Sequence, residues 1–404
     1  MKAVVFHGVG DARVDDVPEP KLEEQNDAIV RITTAAICGT DLHFVRGTVP
    51  NMKPGTILGH EAVGVVEEVG RGVRNFTPGD RVLLSAVLGC GSCTNCRRGH
   101  FAQCNVINPR GPRATTAFYG APAETGPFDG LQAEYARVPY AQTNLFHLPD
   151  SMSDDKAIPL SDIYPTGYFG AVIAEVSDSD VVAVFGCGPV GQFAILSAFQ
   201  RGAGRVLAVD GHPYRLERAQ ALGAEAINFN EEDPVEALLD LTRGVGPDRV
   251  IDAVGVDAES PKAGPAAAKA RREDDLYRDE LHEIAPETNQ QDERWKPGHA
   301  PTLAHSWAVD SIAKAGTLGV IGVYPPTDRF FPIGTAMNKN LRINMGNGDH
   351  PRYIPKLLDM VKSGVVDPEE VLTQHEPLRD ILAAYKEFDL RSPGWLKVAV
   401  NPRS

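Results

Sequence analysis

No stretch of the 404-residue chain approaches the ~18 uninterrupted apolar residues a membrane-spanning helix needs, so no span is expected. Positive charge is in deficit: 40 Lys and Arg stand against 54 Asp and Glu, a formal net charge of −14. Coating nucleic acid or an anionic membrane requires basic patches, so neither partner is expected. No internal repeat is visible, which argues against solenoids and propellers. Cysteine is sparse: the six, at 38, 90, 93, 96, 104 and 187, are too few for a disulfide scaffold at this length. The N-terminal apolar run is too short for a signal peptide and acids follow it, so a reducing cytoplasm is the expected compartment. What is present is ordinary globular material, 42% hydrophobic and 23% charged, in a length that allows roughly two or three domains.

The first part of the chain has many short strand patterns broken by Gly, Pro and Asp, among them 28–34, 63–70 and 81–84. Residues 105–130, rich in Pro, Gly and Thr, are expected to form a surface loop. From 181 the pattern changes. Apolar strands at 181–185, 205–209, 226–229, 250–253 and 318–323 alternate with helical patterns at 189–201 and 213–222. Such alternation predicts βαβ units and a parallel sheet. Residues 257–300 interrupt the series: 18 of these 44 are charged, 11 acids against 7 bases, and large apolar residues are few. A solvated insertion, part helical over 266–284, is expected there. Further helices are expected at 302–315, 353–363 and 378–388, with a last strand at 396–400.

Four of the cysteines form the run Cys90-x2-Cys93-x2-Cys96-x7-Cys104. Two-residue spacings let a tight turn aim successive thiolates at one zinc, and four thiolates close a tetrahedral shell, so this site is expected to be structural. Buried but unrelated cysteines and a nucleic-acid zinc module are the competing readings; Arg97, Arg98 and His100 are thin support for the latter. A second motif is Gly186-x-Gly188-Pro189-Val190-Gly191, between the strand pattern at 181–185 and a helix. In that context the first glycine allows a turn, the second lets backbone approach a pyrophosphate, and the third permits close helix–strand packing. The helix N-terminus then faces the phosphates. Asp210 ends the next strand, where a carboxylate suits ribose hydroxyls and repels a 2′-phosphate, which favours NAD; Arg215 nearby leaves NADP open. Cys187 inside the turn is expected to pack as a small hydrophobe. A third set is dispersed: Cys38-Gly39-Thr40-Asp41-Leu42-His43 and Gly59-His60-Glu61. On residue type alone, Cys38 and His60 are as readily structural as metal-binding.

Together these motifs, with Gly64 and Pro78-Gly79-Asp80-Arg81-Val82, resemble the zinc-containing medium-chain dehydrogenase/reductase family of alcohol, polyol and threonine dehydrogenases. The resemblance covers the chain except for 257–300. It implies an α/β protein with a GroES-like, mainly-β catalytic domain (1–160 and 344–404) carrying a structural zinc lobe at about 88–106. A Rossmann coenzyme domain, a doubly wound parallel sheet, then spans 161–343. It also implies two zincs per chain, with Cys38 and His60 on the catalytic one. The third ligand falls on Asp162 in Ser161-Asp162-Ile163-Tyr164-Pro165-Thr166-Gly167-Tyr168, with Thr166 beside the cofactor. The alternative makes Asp162 a helix cap and Glu61 the ligand. An Asp here resembles the branch of glutathione-independent formaldehyde dehydrogenases and formaldehyde dismutases.

By the same resemblance, Thr40 and His43 carry the proton to solvent, and Glu61 sits behind the zinc. The expected activity is hydride transfer between NAD and a short aldehyde hydrate or primary alcohol, formaldehyde first. Alternatives are a polyol, secondary alcohol or amino alcohol as substrate, or a non-catalytic NAD-binding zinc protein. Phe44, Tyr119 and Phe128 are candidates for the pocket lining. A homo-oligomer is expected, a tetramer before a dimer.

Overall fold

The computed structural model describes residues 1–108, 110, 115–288, 295 and 297–403. The chain divides into two compact units. The first comprises Met1–Pro165 and Gly348–Ser404, with Trp295; the second comprises Thr166–Gln290 and Lys296–Asn347.

The first unit is built on a seven-stranded sheet. Its strands lie in the order Gln374–Pro377, Val398–Asn401, Ala28–Ile37, Ala62–Val69, Arg81–Leu84 and Leu145–His147, and Tyr135–Val138 also pairs with Ala28–Ile37. All these pairings are antiparallel except that of Gln374–Pro377 with Val398–Asn401. Ala28–Ile37 is the hub, and Val30, Ile32, Val66, Val82, Leu84, Val398 and Val400 share one buried cluster around it. Strand 28–34 thus extends to Ile37, directly before Cys38, because Ala35, Ala36 and Ile37 are wholly buried.

The segment expected as a surface loop, 105–130, departs from that expectation. Ala117 and Tyr119 lie in the same core cluster, and Phe118 bridges to Val87. Two of its glycines mark close backbone approach: a Cβ on Gly130 would overlap the Leu58 carbonyl, and one on Gly120 would meet the Ile57 carbonyl. Residues 109 and 111–114 of this segment lie outside the described residues.

The second unit carries the expected all-parallel sheet of six strands. Its order is Glu225–Asn228, Arg205–Asp210, Val181–Phe185, Arg249–Asp252, Thr317–Val320 and Arg342–Met345. Side chains alternate between its two faces. Val182 and Val184 join the helix Pro189–Gln200 in one core, while Ala183 and Phe185 join the helix Leu303–Ser311 in another. A parallel sheet covered on both faces is the doubly wound arrangement. Strand order reverses between Val181–Phe185 and Arg249–Asp252, the crevice where such sheets receive ligands.

The charged insertion is more structured than its composition suggests. It forms two helices, Gly264–Ala270 and Asp274–Ile284, rather than one. Tyr277, Leu281 and Ile284 fall on one buried face, and Tyr277 packs with Ala258, Ala300, Leu303 and Ala304. Glu280 on that face accepts the Thr302 hydroxyl at 2.5 Å. Residues 289–294 and 296 lie outside the described residues.

Candidate functional site

Strand Ala28–Ile37 delivers Cys38 to the N-cap of the helix Gly39–Arg46, in extended geometry (φ −114°, ψ 156°). Asp41 closes this helix start: its Oδ2 accepts the Cys38 amide at 3.0 Å and the Gln132 side-chain amide at 3.1 Å. Its Oδ1 lies 3.2 Å from His60 Nδ1. One carboxylate therefore fixes both the Cys38 backbone and the His60 ring. Gln132 is held in turn by the Ala36 carbonyl at 3.0 Å and the Tyr385 hydroxyl at 2.8 Å.

Gly59, before His60, has φ +91°, and a Cβ there would strike the Gln132 side chain; only glycine suits. His60 is wholly buried, its ring 4.5 Å from that of Phe118 and its Nε2 3.2 Å from Asp162 Oδ2. Glu61 follows, also wholly buried, with the Lys397 ammonium against its Oε2. Lys397 Nζ donates as well to the Ile37 carbonyl at 2.9 Å.

Asp162 sits between the turn Ile158–Leu160 and the helix Ile163–Ile173. Ser161 pins this corner: its Oγ donates to the Leu84 carbonyl at 2.6 Å and accepts the Ala62 amide at 3.2 Å. Its own carbonyl accepts the Ala86 amide at 3.1 Å. Asp162 Oδ2 is thereby brought to 3.5 Å from Cys38 Sγ, and Oδ1 to 3.4 Å from His350 Nε2.

Donor atoms of Cys38, His60, Glu61 and Asp162 all lie within 4.8 Å of one another, and all four residues are buried. The electrostatics are those of a cation site. Burial alone would lower the His60 pKa, yet Asp41, Cys38 and Asp162 carry it well above the ordinary value. Burial opposes ionisation of Asp162, but the hydrogen bond from His60 and the charges of His60, His350 and Lys397 hold its carboxyl well below the carboxylate range. Burial pushes Glu61 up to about 7 against the pull of Lys397, and it pushes Cys38 up against His60. Glu61 Oε1 has no hydrogen-bond partner despite its burial. Acids thus outnumber the adjoining ammonium in a space without solvent, and a mixed S, N and O donor set is one zinc accepts. The residues fit the ion.

Cys90, Cys93, Cys96 and Cys104 form a second cluster with sulfurs within 4.8 Å of one another. Cys93 caps the short helix Thr94–Arg97, and backbone amides donate to the sulfurs: Cys93 to Cys90, Cys96 to Cys93, and both Cys90 and Ile107 to Cys104. Such donors stabilise thiolates. All four cysteines are free of disulfides, as a metal site requires.

In the second unit, Gly186 follows strand Val181–Phe185 with φ +85°, Gly188 caps the helix Pro189–Gln200, and Pro189 and Val190 open it. A Cβ on Gly191 would overlap the Gly186 carbonyl oxygen. Asp210 ends strand Arg205–Asp210, and its oxygens already accept the Cys187 amide at 2.7 Å and the His212 amide at 2.9 Å. Arg215 Nη1 is 4.0 Å from Asp210, and Arg215 Nε donates to the Tyr214 hydroxyl at 3.0 Å. Cys187 is wholly buried.

Both domains match family models. Residues 24–150 match an alcohol dehydrogenase GroES-like domain, and 189–270 a zinc-binding dehydrogenase domain. A Bacillus subtilis protein described as an uncharacterized zinc-type alcohol dehydrogenase-like protein, AdhB, is 35% identical over 407 residues, all of both chains. The chain belongs to the zinc-containing medium-chain alcohol dehydrogenase family. A glutathione-independent formaldehyde dehydrogenase of Pseudomonas aeruginosa is 33% identical over 427 residues, covering 100% of this chain and 98% of that one. Among solved structures, the alcohol dehydrogenase of Thermus sp. ATN1 superposes with a TM-score of 0.78 at 33% identity over 99% of each chain. This dehydrogenase is accordingly a zinc-dependent oxidoreductase, and its two donor clusters are its zinc sites.

The remaining residues singled out in the dehydrogenase sequence fall as follows. Thr40 lies in the first turn after Cys38, its Oγ1 3.9 Å from Cys38 Sγ. His43, one turn on, is 6% exposed and faces Thr48 Oγ1 at 3.2 Å, so the ring is not itself at the surface. Thr166 lies in the helix Ile163–Ile173 and begins the second unit. Phe118, not Tyr119, abuts His60; Tyr119 belongs to the core. Three residues around the site escaped the sequence reading: Lys397 and His350, which no local motif marks, and Gln132. Asp41 also orients His60, and its position three residues after Cys38 is the capping-box spacing.

Proposed function

We propose that this dehydrogenase oxidises a short aldehyde hydrate or primary alcohol with NAD, formaldehyde being the preferred substrate. In this reading Cys38, His60 and Asp162 hold the catalytic zinc, and Cys90, Cys93, Cys96 and Cys104 hold the structural one. The carrying observation is the convergence of Asp162 Oδ2 on Cys38 Sγ and His60 Nε2. Glu61, the competing third ligand, shares the cluster, but Lys397 occupies its Oε2. That contact favours Asp162.

A zinc held this way polarises a substrate oxygen and lowers the pKa of a hydroxyl bound to it. NAD, when bound, accepts the hydride. The chain's own residues do the rest. Cys38 and Asp162 together neutralise a dication, with His60 neutral, so substrate charge is stabilised without excess field. Asp41 sets the His60 ring and Ser161 sets Asp162. Phe118 shields the His60 face from water, which strengthens electrostatic contacts within the site. Thr40 would accept the hydroxyl proton as it gives up its own to the ribose 2′-hydroxyl, and His43 would take the proton from there outward. Gly186, Gly188, Pro189, Val190 and Gly191 form the pyrophosphate turn; Asp210 presents a carboxylate to the ribose, with Arg215 beside it.

The likeness to a formaldehyde dehydrogenase and the Asp162 ligand both support formaldehyde. Dismutation is the extension of the same reading, two formaldehyde and one water giving formate and methanol, and it requires NADH to stay bound between turns. A homo-oligomer is proposed as well. Arg342–Met345 is an edge strand of the second sheet, and Ile333, Met337 and Met345 are exposed.

A substrate panel with purified protein and added NAD tests the proposal. Formaldehyde should give the highest kcat/KM against ethanol, benzyl alcohol, sorbitol and threonine, with NAD preferred to NADP. A higher value for sorbitol or threonine overturns it.

A further inference from the structure

The two oxygens of Asp162 have different surroundings. Oδ2 points at the sulfur of Cys38 and the ring nitrogen of His60, where a metal belongs. Oδ1 lies 3.4 Å from Nε2 of His350. His350 is 1% exposed and begins a helix that buries Tyr353, Ile354, Leu357, Leu358 and Val361.

 The helix itself spans His350–Lys362, and His350 is its first residue. Its start is fixed from a second side: the N-cap residue Asp349 accepts the Ala102 amide at 2.9 Å through Oδ1. His350 is thus held on a packed element, with a ring nitrogen near Asp162 Oδ1, while Oδ2 is the oxygen near Cys38 and His60.

We infer that His350 is a positioning residue for the catalytic site: its ring engages Asp162 Oδ1 and keeps that carboxylate monodentate toward zinc, leaving a coordination position for substrate. The inference rests on the reading of Asp162 as a zinc ligand. A carboxylate with both oxygens available can chelate one ion, and a chelating Asp162 would fill the position that substrate needs. A hydrogen-bond donor on the outer oxygen removes that option and fixes the plane of the carboxylate. His350 is outside the set of donor atoms that lie within 4.8 Å of one another, so it is placed as a support and not as a fourth ligand.

The test uses the full-length zinc-loaded protein with His350→Gln, His350→Asn and Asp162→Ala. Gln can present an amide N–H near the position of Nε2, while the shorter Asn cannot reach it. Zinc per chain, zinc retention against a chelator, the visible spectrum after cobalt substitution, and kcat and KM are measured together. His350→Gln should hold zinc within about threefold of the wild type. His350→Asn should bind catalytic zinc roughly 10- to 100-fold more weakly. Its cobalt form should absorb more weakly in the visible as the coordination number rises, and kcat should fall more than KM changes. Retention of the four-cysteine zinc reports that each variant is folded; if the Asn variant is not, His350→Leu takes its place. If His350→Asn matches the wild type in zinc retention and cobalt spectrum while Asp162→Ala loses one zinc, the inference is overturned and the ligand reading stands. If Asp162→Ala keeps both zincs, the ligand reading fails and the inference fails with it.

Discussion

Lys397 carries an ammonium group with no solvent exposure, set against a carboxylate, Glu61, that is equally buried. Burial alone would lower the Lys397 pKa, but Glu61, Cys38 and Asp162 raise it above the ordinary value, so the side chain stays charged. Lys397→Met should therefore strand Glu61 without its counter-charge. Breaking a buried pair in this way costs about 3–5 kcal/mol, which a urea titration would report as a lower midpoint with an unchanged slope. An unchanged midpoint would mean that Glu61 is not ionised beside Lys397. The residues legible in the sequence were those inside local motifs: Cys38 and His60 in short runs, Asp162 in a segment of recognisable context, and the four lobe cysteines by spacing alone. Lys397 and His350 were not legible, because each meets the site only through tertiary packing. Phe118 shows a finer limit. Two neighbouring aromatic residues part company there: Phe118 abuts His60 and Tyr119 joins the core, and residue type alone does not separate them.

At the scale of elements, the turn after strand Val181–Phe185 is the most constrained piece of backbone in the second unit. A Cβ on Gly191 would overlap the Gly186 carbonyl oxygen, and Gly186 itself has φ +85°. Gly191→Ala should force the turn apart and weaken NAD binding by at least about tenfold, or 1.4 kcal/mol, as measured by calorimetry. Both zincs should remain, since every donor belongs to the first unit. Unaltered NAD affinity would show that this turn does not carry the cofactor. The strands and helices of this unit were legible because apolar runs alternate with helical periodicity. The insertion was only half legible: its charge suggested a solvated appendage and concealed the buried stripe of Tyr277, Leu281 and Ile284. Residues 105–130 were half legible for a related reason: the segment is irregular, as expected, but Gly120 and Gly130 serve close packing there.

For the whole molecule, the formal charge of −14 and the scarcity of cysteine proved unequal guides. Charge bore only on the partners to expect and located nothing. Five of the six cysteines fall in two donor clusters, both in the first unit, while the glycine turn proposed to receive the nucleotide lies in the second. Metal content and coenzyme binding should therefore be separable by single substitutions. The most direct measurement is zinc per chain by elemental analysis, paired with NAD-dependent turnover, for the wild type and Asp162→Ala. The account predicts two zincs and full activity for the wild type. For the variant it predicts one zinc, retained NAD binding and almost no turnover. Two zincs with surviving turnover in Asp162→Ala would contradict it.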